Sequence, residues 1–192
     1  MNSSRSSAAT PLVSVVLPAW NAAHTLGAAL QSLLDQQPSP HGPVPEFEVV
    51  VVDDGSADDT RQLLEHWRSA HLLGNRLRPL YLPHGGIVAA LNAGLVAARG
   101  PLVARMDADD TAHPHRLASQ TAHLYGNEHI DLSATCVAFG GDRELAHGFA
   151  HFVDWQNSLL SHEQISRARF RDTPVCHPSV MFRRQCVEKW GA

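Results

Sequence analysis

The stretch Leu102-Val103-Ala104-Arg105-Met106-Asp107-Ala108-Asp109-Asp110 passes abruptly from apolar residues to three carboxylates. A short apolar run reads as a buried strand. Acidic side chains cannot be buried unpaired without a large cost, so they belong in a loop at the strand's exit. In an open α/β sheet that exit is where ligands bind. Asp107 and Asp109 are separated by one residue, and a loop can turn both toward one point. Two hard oxygen ligands with coordination positions left open suit Mg²⁺ or Mn²⁺, ions that share such sites with substrate phosphates. The competing reading is a solvated acidic turn that caps the helix expected after Pro114.

A second acidic exit lies upstream. Phe47-Glu48-Val49-Val50-Val51-Val52 reads as a strand and runs into Asp53-Asp54-Gly55-Ser56. Carboxylates there can recognise a base or ribose by hydrogen bonds. They can equally be a turn, with Gly55 at positive φ and Ser56 and Asp59 opening a helix as its N-cap region.

The elements that must carry these residues follow from patterning. Leu12 to Leu17 is a β-branched, nearly all-apolar run, expected to be a central strand buried on both faces and stopped by Pro18. Ala19-Trp20-Asn21 is the loop at its C-terminal end. Helices are expected over Ala22–Gln36, about Asp58–His71, Ile87–Ala98 and His113–Gly126. Arg78–Leu82 is a short third strand. Gly94, inside a helix at a cost of about 1 kcal/mol, implies close packing. Four strand-helix repeats imply parallel strands with right-handed crossovers and helices on both faces. The loops at Asn21, Asp53 and Asp107 then share one sheet edge. After Gly126 the regularity changes. A strand over Ile130–Phe139, a helix over Phe149–Leu160, a second short helix capped by Ser161 and a last strand over Cys176–Phe182 are expected. Phe149 to Phe170 is the irregular insertion near the last strand and could be an amphipathic contact with a partner or membrane surface.

Composition narrows the function classes. The chain has 192 residues, enough for one domain with a sizeable core. A formal net charge of −4 argues against a nucleic-acid binder. Cys136, Cys176 and Cys186 form no CxxC pair and read as reduced, mostly buried thiols of a cytoplasmic protein. No apolar run approaches the length that spans a bilayer. Met1 to Thr10 is expected to be a disordered tail without the apolar core of a signal peptide. There is no GxxxxGK[ST] loop, no GxGxxG after the first strand, no GxSxG elbow and no zinc-ligand spacing.

Five motifs occur in order: Val13 to Asn21; Val51 to Ser56; Gly86 to Gly94, containing Asn92; Met106 to Asp110; and His177-Pro178-Ser179 with Arg183-Arg184. Together they resemble glycosyltransferase family 2, enzymes of the GT-A fold, over about Leu12 to Trp190. Trp20 stands where that family more often has Tyr. The resemblance implies an α/β fold of GT-A type, a Rossmann-like, mostly parallel sheet. A nucleotide-binding half would span 11–126 and an acceptor-side part 127–192, with Phe149 to Phe170 as the expected acceptor-facing segment. It implies transfer of a sugar from a nucleotide-diphosphate donor, a UDP-sugar, to a glycan or lipid-linked acceptor hydroxyl. That transfer would be metal-dependent and inverting, with peripheral association at the inner face of a membrane.

Family roles map onto matching positions. Pro18, Ala19, Asn21 and Asn92 lie beside the nucleotide, Asp53 and Asp54 contact base and ribose, Asp107 contacts ribose or metal, and Asp109 holds Mg²⁺ or Mn²⁺. His177, Arg183 and Arg184 are candidate contacts to donor or acceptor. The family's Glu-Asp motif, whose Asp is the expected general base, is not found before Ala192, so the base is expected beyond it. Two other readings stay open. One is a nucleotide-sugar-binding module without turnover. The other is a nucleotidyltransferase, which would need a Gly-rich basic loop where Pro18-Ala19-Trp20-Asn21 stands.

Overall fold

Strand β1 (Val13–Ala19) is buried at every position, as a β-branched run without alternation must be when both faces of a sheet are covered. The computed structural model describes residues 11–191, and the tail expected over 1–10 lies outside the described residues. β2 (Phe47–Asp54), β3 (Leu77–Leu82), β4 (Leu102–Arg105), β5 (Leu132–Ser133) and β6 (Met181–Arg183) complete the sheet, in the order β3-β2-β1-β4-β6-β5. The first four strands are parallel, as strand-helix alternation requires. β6 runs antiparallel to both β4 and β5.

The pleat divides the core in two. Val13, Val15, Leu17, Val49 and Val51 pack against α1 (Leu26–Leu34), α2 (Thr60–Ser69) and α4 (Arg116–Gly126) through Leu30, Leu33, Leu64 and Leu117. Val16, Val50, Val52 and Val103 face α3 (Ile87–Ala97). α3 can lie this close because of Gly94, where a Cβ would stand 2.3 Å from Val16 Cγ1. The chain after α4 adds α5 (His147–Asn157), α6 (His162–Ala168) and α7 (Gln185–Trp190). Ser161 and Gln164 form the expected capping box at the start of α6.

Several expectations are corrected. Pro18 does not stop β1. Met106 N–H donates to the Val16 carbonyl, so Pro18, of the same parity, turns its nitrogen toward β4, whose pairing with β1 ends at Arg105. Its missing donor therefore breaks no ladder. Asp53 and Asp54 belong to β2 itself and are buried, not carried by a loop. Ser56 is not a helix cap: Asp58 accepts the Thr60 N–H, while Ser56 Oγ accepts the Asn21 N–H. α1 begins at Leu26 because the Ala22 and Ala23 amides are held by Thr60 and Asp58. β5 is two residues long, because the Asn157 side chain takes both backbone groups of Val137 in place of a strand partner. Residues His177–Ser179 form a 3₁₀ turn, which delays β6 to Met181.

Candidate active site

The C-terminal ends of β1, β2 and β4 and the turn before α3 enclose a cleft of about 520 Å³. It opens between β1 and β4, where the direction of strand succession reverses, the place where open α/β sheets hold ligands. Pro18, Ala19, Trp20 and Asn21 form one wall, Asp54, His84 and Gly86 a second, and Asp107, Ala108 and Asp109 a third.

Each wall is fixed by interactions that its sequence explains. Asn21 adopts φ 49°, a left-handed conformation that Asn tolerates. Its side-chain oxygen accepts the Ala57 N–H at 2.8 Å, tying the β1 loop to the β2 loop. Asp54 accepts the Gly85 N–H at 2.8 Å with one oxygen and the Gly86 N–H at 2.9 Å with the other. His84 Nδ1 lies 3.0 Å from the same carboxylate. The Gly85 amide, opposed by burial and helped by Gly86 and His84, holds the Asp54 carboxyl below the usual carboxylate range. Gly55, at φ 70°, leaves room for this turn, since a Cβ there would stand 2.6 Å from the His84 nitrogen. Asp53 turns inward, accepts the Ser56 N–H and does not line the cleft. Of the pair, Asp54 faces the cleft.

His84 escaped the sequence reading. Its imidazole stacks on Trp20, with centroids 4.8 Å apart and planes 23° from parallel. A histidine in a Pro-His-Gly-Gly turn at a strand exit is the signal that could have found it.

The acidic loop brings carboxylate oxygens of Asp107, Asp109 and Asp110 within 4.8 Å of one another. Burial raises the Asp107 carboxyl, Arg105 opposes the rise and Asp109 adds to it. Burial and the Asp107 and Asp109 charges raise Asp110. Behind the loop, Ser32 Oγ of α1 accepts the Ala112 N–H, and the Gln36 side chain accepts the Leu117 N–H. Arg116 is buried. Its Nη2 donates to the Arg105 carbonyl at 2.7 Å, and burial pushes its guanidinium down to about 10.

A second cavity, of about 880 Å³, lies on the other side of this loop. Asp107 and Asp109 line it too, opposite Phe139, Phe149, Phe152 and Asp172. The expected acceptor-facing segment therefore divides: one face of α5 reaches the cavity, whereas α6 and Phe170 do not line it. Exposed His177 is on its wall. Arg183 and Arg184 are at neither cavity. They sit beside Leu102, the opposite end of β4, with Arg183 donating to the Leu124 and Ile130 carbonyls and Arg184 to Ala98. These guanidiniums satisfy carbonyls at the ends of α4 and α3 and in the loop at Ile130. Asn92 is exposed on α3 and lines neither cavity. Asp154 pairs with Arg143 and Glu163 with Arg167, and neither lines a cavity.

The three carboxylates fit a divalent cation. Their donors are hard oxygens, and buried Asp107 Oδ1 has Arg105 Nη2 at 2.9 Å but no aligned hydrogen bond among the described residues. The model of glycosyl transferase family 2 matches residues 14–191. The chain belongs to this family.

The chain is similar in sequence to proteins whose names denote glycan building and in fold to solved structures. An uncharacterized glycosyltransferase of Nostoc is 33% identical over 92% of this chain and 52% of its own length. Chondroitin synthase of Escherichia coli is 28% identical over 90% of this chain and 22% of its own. Among solved structures, Staphylococcus aureus TarS in complex with UDP-GlcNAc superimposes with a TM-score of 0.66 at 22% identity, covering 92% of this chain and 46% of that one. The mannosyltransferase PcManGT of Pyrobaculum calidifontis, in complex with GDP-Man and Mn²⁺, gives 0.67 at 22%, covering 95% and 47%. The chain spans about half the length of the first of these relatives and of both structures. Among the described residues no helix is long and apolar enough to cross a membrane.

Proposed function

We propose that this chain binds a nucleoside-diphosphate sugar, a UDP-sugar, in the 520 Å³ cleft and transfers the sugar to a hydroxyl of an acceptor seated in the 880 Å³ cavity. The observation that carries this reading is that Asp107 and Asp109 line both spaces. A bond broken in one and formed in the other meets at a wall of carboxylates.

Roles follow from position. Trp20 offers an aromatic face to the base, and Asp54 holds the Gly85-Gly86 turn against it. Asp109 and Asp107 would hold Mg²⁺ or Mn²⁺, with Asp110 close by. When bound, such an ion neutralises the charge that grows on a diphosphate leaving group. Arg116, pinned to the Arg105 carbonyl, keeps the loop at a fixed height above β4. Inversion at the anomeric carbon follows if the acceptor approaches from the second cavity while the diphosphate stays in the first. A carboxylate must then take the acceptor's proton. Beyond the acidic loop, Asp172 is the one on the second cavity's wall among the described residues. Exposed Leu145, Phe149, Leu160 and Phe170 support an acceptor presented at a membrane surface.

Calorimetry of the chain with UDP or GDP, with and without Mn²⁺, tests the donor site. Release of nucleotide from UDP-GlcNAc or GDP-Man, with and without glycan acceptors, tests transfer. Absence of nucleotide binding would overturn the reading. Binding without release from any donor would leave the chain a nucleotide-sugar-binding module.

A further inference from the structure

Arg105 ends β4, two residues before the acidic loop begins. Its side chain is only 14% exposed, and its Nη2 lies 2.9 Å from Asp107 Oδ1. The pair is close but poorly aligned. Arg105 Nη1 and Asp107 Oδ1 are both buried and lack a hydrogen-bond partner among the described residues. Buried Arg116, which donates to the Arg105 carbonyl, is itself a cation and offers the Arg105 guanidinium no acceptor.

Buried charges with unused bonding capacity are costly and uncommon. Here the charge count gives a reason for one. Asp107, Asp109 and Asp110 place three carboxylates within 4.8 Å of one another. Like charges so close repel strongly, and a single buried guanidinium beside them relieves part of that repulsion. The same guanidinium repels any metal ion that approaches Asp107, and it competes with the ion for Oδ1.

We propose that Arg105 is a positioning residue, an internal counter-cation that weakens divalent-metal binding until a diphosphate is also present. The proposal rests on the metal and nucleotide reading above. Arg105 offsets one of the loop's three negative charges, so the loop alone holds an ion less tightly than its carboxylates would without it. A diphosphate brings new negative charge and new oxygen ligands, which offset the Arg105 charge. Metal and nucleotide therefore bind with positive coupling, and each strengthens the other by the same factor. Arg105 sets the size of that factor through Asp107.

The test is Mn²⁺ titration by calorimetry, alone and with saturating UDP, on the unaltered chain and on Arg105→Met, Arg105→Gln and Arg105→Lys, with melting curves for each. The unaltered chain is expected to bind Mn²⁺ at least about tenfold tighter with UDP, equivalent to about 1.4 kcal/mol. Arg105→Met and Arg105→Gln are expected to bind Mn²⁺ alone about tenfold tighter than the unaltered chain and to lose most of the UDP enhancement. Arg105→Lys keeps the charge and is expected to stay within about twofold of the unaltered chain. If UDP enhances Mn²⁺ binding but the neutral variants bind Mn²⁺ alone no tighter, the Arg105 role is wrong and the metal site stands. If Mn²⁺ binds equally with and without UDP, the coupling is absent and the proposal fails without any variant. If the unaltered chain binds no Mn²⁺ even with UDP, the metal reading falls and takes this proposal with it.

Discussion

The Trp20 indole and the His84 imidazole stack in the wall of the 520 Å³ cleft, 4.8 Å between centroids, although they come from loops after different strands. Trp20 remains 56% exposed, so its ring contributes little to the core. Trp20→Ala is expected to lower UDP affinity by about 1–3 kcal/mol, the usual worth of one base-aromatic stack. Trp20→Phe should retain most of that affinity, and neither change should move the melting temperature. Titration of both variants with UDP checks this, and unaltered affinity in Trp20→Ala would remove the ring from the binding site.

Asp109 is exposed and, among the described residues, has no hydrogen bond that would make it structural. Asp109→Ala is expected to abolish the metal-dependent part of nucleotide binding, a loss of at least about 1.4 kcal/mol. Stability should stay within about 0.5 kcal/mol, as for most surface substitutions. Chelation of the metal from the unaltered chain should reproduce the variant's affinity. A parallel loss of melting temperature would point instead to a structural role for the loop.

Asp54 behaves differently because both its oxygens are spoken for by backbone amides. Asp54→Asn presents an NH₂ group to one of those amides, leaving a buried donor unpaired. The expected cost is about 1–3 kcal/mol of stability, together with weaker nucleotide binding with or without metal. Asp53→Asn, whose side chain serves the Ser56 turn, should cost stability with a smaller effect on affinity. Urea melts alongside UDP titrations separate the two variants.

Glu48 makes the acid limb of the stability curve measurable. It is buried at the far end of the sheet, bound by Ser14, Arg78 and Arg99. Burial alone would raise its carboxyl, but the bonds from Ser14, from the Arg99 amide and from the Arg78 and Arg99 side chains outweigh burial and hold it below 4.5. A carboxyl depressed in the folded state stabilises the fold fully above its unfolded value. That contribution is lost as pH falls through the folded value. Glu48→Gln should therefore flatten the fall in melting temperature on acidification while lowering the plateau at neutral pH. An unchanged acid slope would show that other carboxyls govern it.

The parallel half of the sheet was legible because its strands carry uniform apolar runs and its helices carry periodic ones. The convergence of Asn21, the acidic pair and Asp107 on one edge follows from strand order. What pattern did not reveal was geometry set by single hydrogen bonds. It could not say that Asp54 rather than Asp53 faces the cleft, because both sit in one buried strand and the pleat decides. It could not show that Arg183 and Arg184 are spent on carbonyls 124, 130 and 98, which are far away in sequence. The two-residue β5 was hidden because the Asn157 side chain, not a neighbouring strand, receives Val137.

The strand order puts the two cavities on either side of β4, with the acidic loop as their common border. Under the function proposed above, residues on the β1 side shape only what is given, and residues around α5 shape only what receives it. On that reading, lineages carrying this arrangement can exchange the α5 side and change the product they build while the β1 side is inherited intact. Drift on the acidic loop itself is not so free, since one altered carboxylate is felt in both directions at once.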